Sequence, residues 1–484
     1  MQRKFLSGLA LMLVLNLLIK PIAIFGIDAE IQNRVSQEQF GIYFTLLSFS
    51  FLFNILLDLG INNFTTKHVA QYPKVAVSYL GKILILRFVL LLLYTVVLFV
   101  LALILGWGKF EIYLLSFMVL NQFFVTLIAF ARSYFSGLLM FKTEAFLSIL
   151  DRLLVVILGG ALLYLPWSPK TFQIEWFLWI QSICYGIAVL IAFALLLRKT
   201  GRLKIVFRRH FSFVLVRKSI PYAVLILLMM IYTRVDSVML ERLHSDGRQQ
   251  AGFYAQGFRL FDALFMFATL FTGLLYPIFS QLIIQQRDFK PLLASATKLL
   301  IGGTAALAII LCFNAELVLG WIYEKDVASS VLSFQLLMVA FVGMAANLLF
   351  GTLLTANGSL RFLNQVSAFG IVINMGINFA LIPRYGANGA ALTALITQLS
   401  VSIAQLIFCL IHFSIKITVL PILQFVGFLA SISALCYFVH VESFALFLGV
   451  SAVTFVAMFL FGLLDFKQLK ALFAAKGTKE INVQ

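Results

Sequence analysis

Apolar stretches of roughly twenty residues, parted by short polar intervals, fill almost the whole chain. A stretch of that length crosses about 30 Å of hydrocarbon as a helix. In order, the pattern predicts helices near 5–27, 41–60, 80–106, 112–137, 147–165, 174–197, 219–243, 253–283, 297–313, 331–356, 362–383, 387–413, 416–440 and 443–464. With no water in a bilayer core, backbone groups must be satisfied within each segment, so such runs fold as helices. The expectation is an all-α polytopic membrane protein with about fourteen transmembrane helices. The boundaries PRYG and HFSIK are so short that the helices on either side of each nearly merge.

Composition agrees: 62% of the 484 residues are hydrophobic and 11% charged, too few charges for a soluble surface. The formal net charge of +17 would point to nucleic acid in a soluble protein, but topology accounts for it here. If the helices alternate from a cytoplasmic N-terminus, Arg3, Lys4, Lys67, Lys74, Lys142, Arg287, Lys290, Lys298, Arg361, Lys416 and the C-terminal lysines fall on the cytoplasmic side. Only Arg34, Lys109, Lys170, Arg242, Arg248, Lys325 and Arg384 fall on the other. Both termini are then cytoplasmic, and no nucleic-acid partner is needed.

The longest polar interval, RKTGRLKIVFRRHFSFVLVRK, is predicted as a basic cytoplasmic linker over 198–218. It divides an N-lobe, 1–197 with six helices, from a C-lobe, 219–413 with six more. Two final helices and a cytoplasmic tail occupy 414–484. A weak internal repeat supports two pseudo-symmetric lobes: QFGIYF (39–44) opens the second helix and QAGFYA (250–255) the eighth.

Charged residues interrupt the apolar runs, each costing roughly 2.5–3.5 kcal/mol on insertion scales where it lies at the centre of a span. Asp58, Arg87, Arg132, Asp151 and Arg152 lie within a few turns of the cytoplasmic ends, where long side chains snorkel to headgroups. Lys20, Arg234 and Arg259 lie deeper, in the outer half. Lys20 and Arg234 sit at comparable depth on the first helix of each lobe. Pseudo-twofold packing would turn them toward one central cavity holding water or an anion. The alternative is pairing, of Arg234 with Asp236 or Asp262 and of Arg259 with Asp262, which shares a helical face at i,i+3. Pro21 and Pro277 are expected to kink their helices, as places either of simple bending or of movement.

Chemistry beyond binding is sparse. No phosphate-binding Gly-rich loop occurs, nor any motif for a resident metal or cofactor, and no loop is long enough for a catalytic domain. The five histidines are scattered near helix ends, and Cys184, Cys312, Cys409 and Cys436 read as packing residues. A binding and translocation protein fits better than an enzyme.

Four strings, LLDLGINNFTTKHVAQ (56–71), YTRVDSVML (232–240), AGFYAQGFRLFDAL (251–264) and INFALIPRYGANGAALTALITQ (377–398), resemble the polysaccharide transporter family in their order and spacing. That is the O-antigen and oligosaccharide flippase branch of the multidrug/oligosaccharidyl-lipid/polysaccharide (MOP) superfamily. The resemblance implies a MATE-like fold of two lobes around a cationic cavity, working by alternating access. The implied substrate is an undecaprenyl-diphosphate-linked oligosaccharide repeat unit, moved to the outer leaflet of a bacterial inner membrane. By position, Lys20, Arg234 and Arg259 would hold the diphosphate or an acidic sugar, and Asp58, Asp236 and Asp262 would be gating or ion-coupling candidates. Coupling to Na+ or H+ is left open, as is work beside polysaccharide polymerase machinery; membrane lipids are the other partners. Alternatives are a lipid II flippase, a cation-coupled multidrug exporter of the same superfamily, or, in another class, a membrane polysaccharide polymerase or ligase.

Overall fold

The structure is a computed structural model that describes residues 14–16, 18–62, 65, 66, 69, 73–164, 172–201, 209–415, 419–439 and 441–463. The expected start of the first helix, Lys67, Lys170, Lys416, most of the linker between 201 and 209, and the C-terminal tail lie outside the described residues.

Among the described residues all regular structure is helical. A π-helical segment, Ile22–Asp28, leads into α1 (Ala29–Arg34), followed by α2 (Gln37–Leu52), α3 (Ile55–Asp58), α4 (Pro73–Ile104) and α5 (Lys109–Gly137). Then come α6 (Phe141–Leu147), α7 (Leu150–Tyr164), α8 (Ile174–Thr200), α9 (Arg209–Leu243) and α10 (Gly247–Ile284). The remainder comprises α11 (Lys290–Phe313), α12 (Ala315–Ile322), α13 (Val327–Ala356), α14 (Leu360–His412), α15 (Val419–Phe438) and α16 (Phe444–Leu460). Ten spans among the described residues are long and apolar enough to cross a membrane, so the chain is a multi-pass membrane protein. One of them, α14, is two helices joined across a kink at Gly386, 53 residues in all, which correspond to the expected helices 362–383 and 387–413. By this criterion the count of fourteen is not reached.

Local chemistry explains where elements depart from the hydropathy pattern. The second helix starts at Gln37, before the expected 41, because the Ser36 side chain accepts from the Gln39 N–H at 3.2 Å and caps a polar first turn. It also stops early, at Leu52. After the short α3, Leu59 (φ 46°) and Gly60 (φ 79°) turn left-handed, ending the run as a glycine cap does. Pro21 does not break the first helix. The chain widens into a π-helix directly after it, accommodating the missing N–H. This wide segment packs on α7 at Gly159, where a Cβ would lie 3.2 Å from Ile27 Cγ2, and Tyr164 donates to the Gly26 carbonyl at 2.8 Å. Pro277 stands inside α10 without ending it.

Within α14 the chain changes course at Gly386, whose φ 52°, ψ −128° is glycine territory. The next amide, of Ala387, donates to Gln250 Oε1 at 2.9 Å. Gly386→Ala is expected to destabilise the protein by about 1–2 kcal/mol through this left-handed geometry, with further loss from collision with Gln250. Gly376→Ala, with open space around its Cβ, is expected to be neutral or slightly stabilising. Thermal unfolding of the purified variants checks both.

The chain divides into two compact units. The first comprises Met1–Ala255 with the turns Ile322–Lys325 and Ile382–Ala387. In it α8 packs along α5, α9 packs along α2, and α4, α5, α7 and α8 share a core around Leu86, Phe130, Tyr134, Leu150 and Ala192. The second comprises Gln256–Trp321, Asp326–Leu381 and Asn388–Gln484. There α11 packs against α13 and α15, and α15 and α16 close a smaller core at Ala306, Phe428, Ile432 and Met458. Cys184, Cys409 and Cys436 are buried and Cys312 half-buried, all as free thiols.

Candidate functional site

Lys20 is half-buried at the last position before Pro21 and the π-helical segment. Arg152, Arg132 and Asp151, carried by α7 and α5, lie within electrostatic reach of its ammonium. Arg132 and Arg152, expected within a few turns of the cytoplasmic ends, thus act on the same ammonium as Asp151. Arg132 Nη2 approaches Glu144 Oε1 at 3.5 Å and Arg152 Nε approaches Asp151 Oδ2 at 3.9 Å. The Arg152 guanidinium lies 5.9 Å from the Tyr185 ring centroid. Its side chain keeps 33% of its surface accessible, and that of Arg132 keeps 28%. Asp28 also lies within electrostatic reach of Arg152, so three cations face the carboxylates of Asp28, Glu144 and Asp151; Arg132 Nε still has an open donor, and guanidinium donors so loosely held suit exchange onto a multiply charged anion.

Arg234 and Asp236 sit on α9. The Arg234 guanidinium lies over the Phe51 ring at 5.2 Å, and buried Asp236 accepts a 3.3 Å hydrogen bond from the Tyr254 hydroxyl. Arg259 and Asp262 belong to the second unit and are half-buried on α10. Around them α10 meets α13 closely: a Cβ on Gly257 would lie 3.0 Å from Phe334 Cα, and Phe258 stacks on Phe261 at 5.2 Å.

Arg87 corrects the sequence reading. It does not snorkel: its side chain is 0% exposed. Counting rise per residue gives depth along a helix but not direction, and α4 turns this residue inward. Its Nη2 donates to Asp58 Oδ1 at 2.9 Å and Asn62 Oδ1 at 2.6 Å, its Nη1 to the Thr126 carbonyl at 3.4 Å, and the Phe130 ring lies 5.0 Å away. Asp58 Oδ1 also accepts the Asn62 N–H at 3.2 Å. Asp58, expected as a gating or coupling candidate, is thus half of a buried ion pair tying the break after α2 to α4.

The family model described as polysaccharide biosynthesis protein matches residues 6–283, more than half of the chain. Among solved structures the fold is similar to that of lipid II flippase MurJ in an inward closed conformation. The TM-score is 0.67 at 14% identity, covering 95% of this chain and 100% of that one. It is also similar to an inward-facing multidrug resistance MATE family transporter of the MOP superfamily, with TM-score 0.61, 12% identity, and 83% and 98% of the two chains covered. A third is a MOP superfamily transporter from Pyrococcus furiosus, with TM-score 0.57, 12% identity, and 85% and 95% covered. No curated protein sequence matches. At these identities the structures establish a shared fold, and the family model supplies the kinship: the chain is a multi-pass membrane protein of MurJ- and MATE-like fold that belongs to the polysaccharide biosynthesis protein family.

Proposed function

We propose that the protein is a flippase, not an enzyme, that moves undecaprenyl-diphosphate-linked oligosaccharide repeat units across the bacterial inner membrane. The single observation that carries this reading is the gathering of Lys20, Arg132 and Arg152 in a chain of apolar helices. Burying cations is costly unless an anion answers them. A diphosphate does so, and Arg offers it paired donors where Lys offers a point charge. Membership of the polysaccharide biosynthesis family favours a lipid-linked glycan over a cationic drug.

In this reading the lobes 1–197 and 219–413 alternate access, joined by the basic stretch 198–218, with 414–484 attached to the second lobe. Arg234 and Arg259 are further candidates for substrate contact. Asp236, Asp262 and, in its ion pair, Asp58 are candidates for coupling to Na+ or H+. Both termini lie in the cytoplasm, where the repeat unit is loaded, and polymerase machinery would receive it outside.

The test is transport in proteoliposomes by purified protein, using a fluorescent polyprenyl-diphosphate oligosaccharide, a lipid II analogue and a cationic dye in parallel. The expected result is protein-dependent flipping of the oligosaccharide lipid and none of the dye. Flipping of the lipid II analogue alone would move the assignment to that substrate; dye export alone would move it to a drug exporter.

A further inference from the structure

In the second unit, α12 follows α11 after the single residue Asn314 and divides its surface by helical period. Ala315, Val318 and Leu319 are buried on one face, as their i, i+3, i+4 spacing places them. Glu316, Gly320 and Trp321 line an open pocket of about 920 Å³, together with Asn314, with Tyr437 near the end of α15 and with Glu442 in the turn before α16. Trp321 meets α16 edge-on, 5.5 Å from the Phe444 ring and 5.6 Å from that of Phe447. A Cβ on Gly320 would meet nothing within 4 Å, so this glycine keeps its side of the pocket clear.

The polar groups on the wall are acceptors. Glu316 and Glu442 make no ion pair among the described residues, and no lysine or arginine lines the pocket. Asn314 is 9% exposed, its Nδ2 donates to the Ile310 carbonyl at 2.8 Å, and its Oδ1 accepts no hydrogen bond among the described residues. Acceptors beside a Trp and a Tyr ring suit a cation, because ring faces attract positive charge. A bound Ca2+ is a poor match, since it takes about six to eight oxygens. Among the described residues no group of three or more His, Cys, Asp or Glu side chains could hold a metal. A primary ammonium fits better. It carries an N–H donor for each of Glu316, Glu442 and Asn314 Oδ1, where a quaternary ammonium carries none.

Lys290 and Lys298, at the start of α11, assign that end to the cytoplasm and the far end, with the pocket, to the outer surface. Trp and Tyr are enriched at that level of a bilayer. The rim is apolar and open, with Tyr437 and Phe438 largely exposed, which suits acyl chains.

We propose that this pocket binds the primary ammonium of an outer-leaflet aminophospholipid, with Glu316, Glu442 and Asn314 Oδ1 accepting its N–H groups beside Trp321 and Tyr437. The acyl chains lie along the exposed apolar surfaces of α15 and α16. The pocket has the opposite charge to the Lys20 cluster and takes a resident lipid, so the proposal stands whether or not the protein flips a polyprenyl-diphosphate lipid.

The test is native mass spectrometry of the full chain, incubated in detergent with equimolar phosphatidylethanolamine and phosphatidylcholine of identical acyl chains. Native protein is expected to retain the ethanolamine lipid over the choline lipid by roughly tenfold or more, the effect of charge-assisted hydrogen bonds that a quaternary ammonium cannot make. Glu316→Gln combined with Glu442→Gln is expected to abolish the preference. Gly320→Phe, which fills the pocket and keeps both charges, is expected to do the same. Glu324→Gln, an exposed carboxylate that does not line the pocket, is expected to keep it. Unfolding midpoints show which variants are folded. Equal retention of the two lipids by native protein overturns the proposal, as does a preference that survives in the folded double variant. Spermidine at the lipid's concentration is expected to leave the bound lipid in place; displacement would assign the pocket to a soluble amine and overturn the lipid.

Discussion

Arg87→Ala is expected to destabilise the protein by about 3–5 kcal/mol, the usual cost of leaving one partner of a buried ion pair alone. The variant strands the Asp58 carboxylate, removes two donors from Asn62 and Thr126, and opens a cavity beneath Phe130. Asp58→Ala is expected to fall at the upper end of the same range, because it leaves the guanidinium of Arg87, with none of its side chain accessible, as the uncompensated charge, whereas Arg87→Ala leaves Asp58 with 25% of its side chain accessible. Water can reach one partner's side but not the other. The pair Asp58→Leu with Arg87→Met is expected to recover a large share of the loss, since apolar replacement of both partners is often tolerated. Unfolding midpoints of the three purified proteins test this ordering. Equal stability of Arg87→Ala and the native chain would mean that the node contributes nothing to the fold.

The second large effect is functional. Arg152→Ala or Lys20→Ala is expected to reduce flipping about 10–100-fold, since a hydrogen bond to a charged partner contributes about 1.5–3 kcal/mol. The unfolding midpoint should stay near the native value, because the side-chain partners of Arg152 are distant or part-solvated. Arg152→Lys is expected to recover only part of the rate, since an ammonium cannot make the paired contacts of a guanidinium. Arg234→Lys is likewise expected to impair transport, losing contact with the Phe51 ring as well as the fork of donors. Initial rates with membrane yields as controls separate these losses from loss of protein.

Hydropathy made the architecture legible because bilayer thickness imposes a length on every span: α4, α5, α8, α13 and α15 lie where apolar runs predict. It misjudged ends where polar side chains, not apolar length, decide. Ser36 starts α2 early and α2 stops short at Leu52, although Leu59 and Gly60 end the run close to the expected residue 60. It left PRYG nearly merging its neighbours, and Gly386 shows why: two helices meet end to end at this one non-helical residue, with no loop between them.

The site was only half legible. Depth along a helix can be counted, so Lys20 stood out as deep. The direction in which a side chain points depends on neighbouring helices, so the same counting sent Arg87 to the membrane surface although α4 turns it inward. The repeat glycines Gly41 and Gly252 carried their spacing openly, but only the packed chain shows that they touch each other.

The most direct test of the central claim is the initial flipping rate of a fluorescent polyprenyl-diphosphate oligosaccharide in proteoliposomes, native protein beside Lys20→Ala, Arg132→Ala and Arg152→Ala. The account predicts protein-dependent flipping that collapses in the variants while each remains folded. Native flipping that persists undiminished in all three would contradict it.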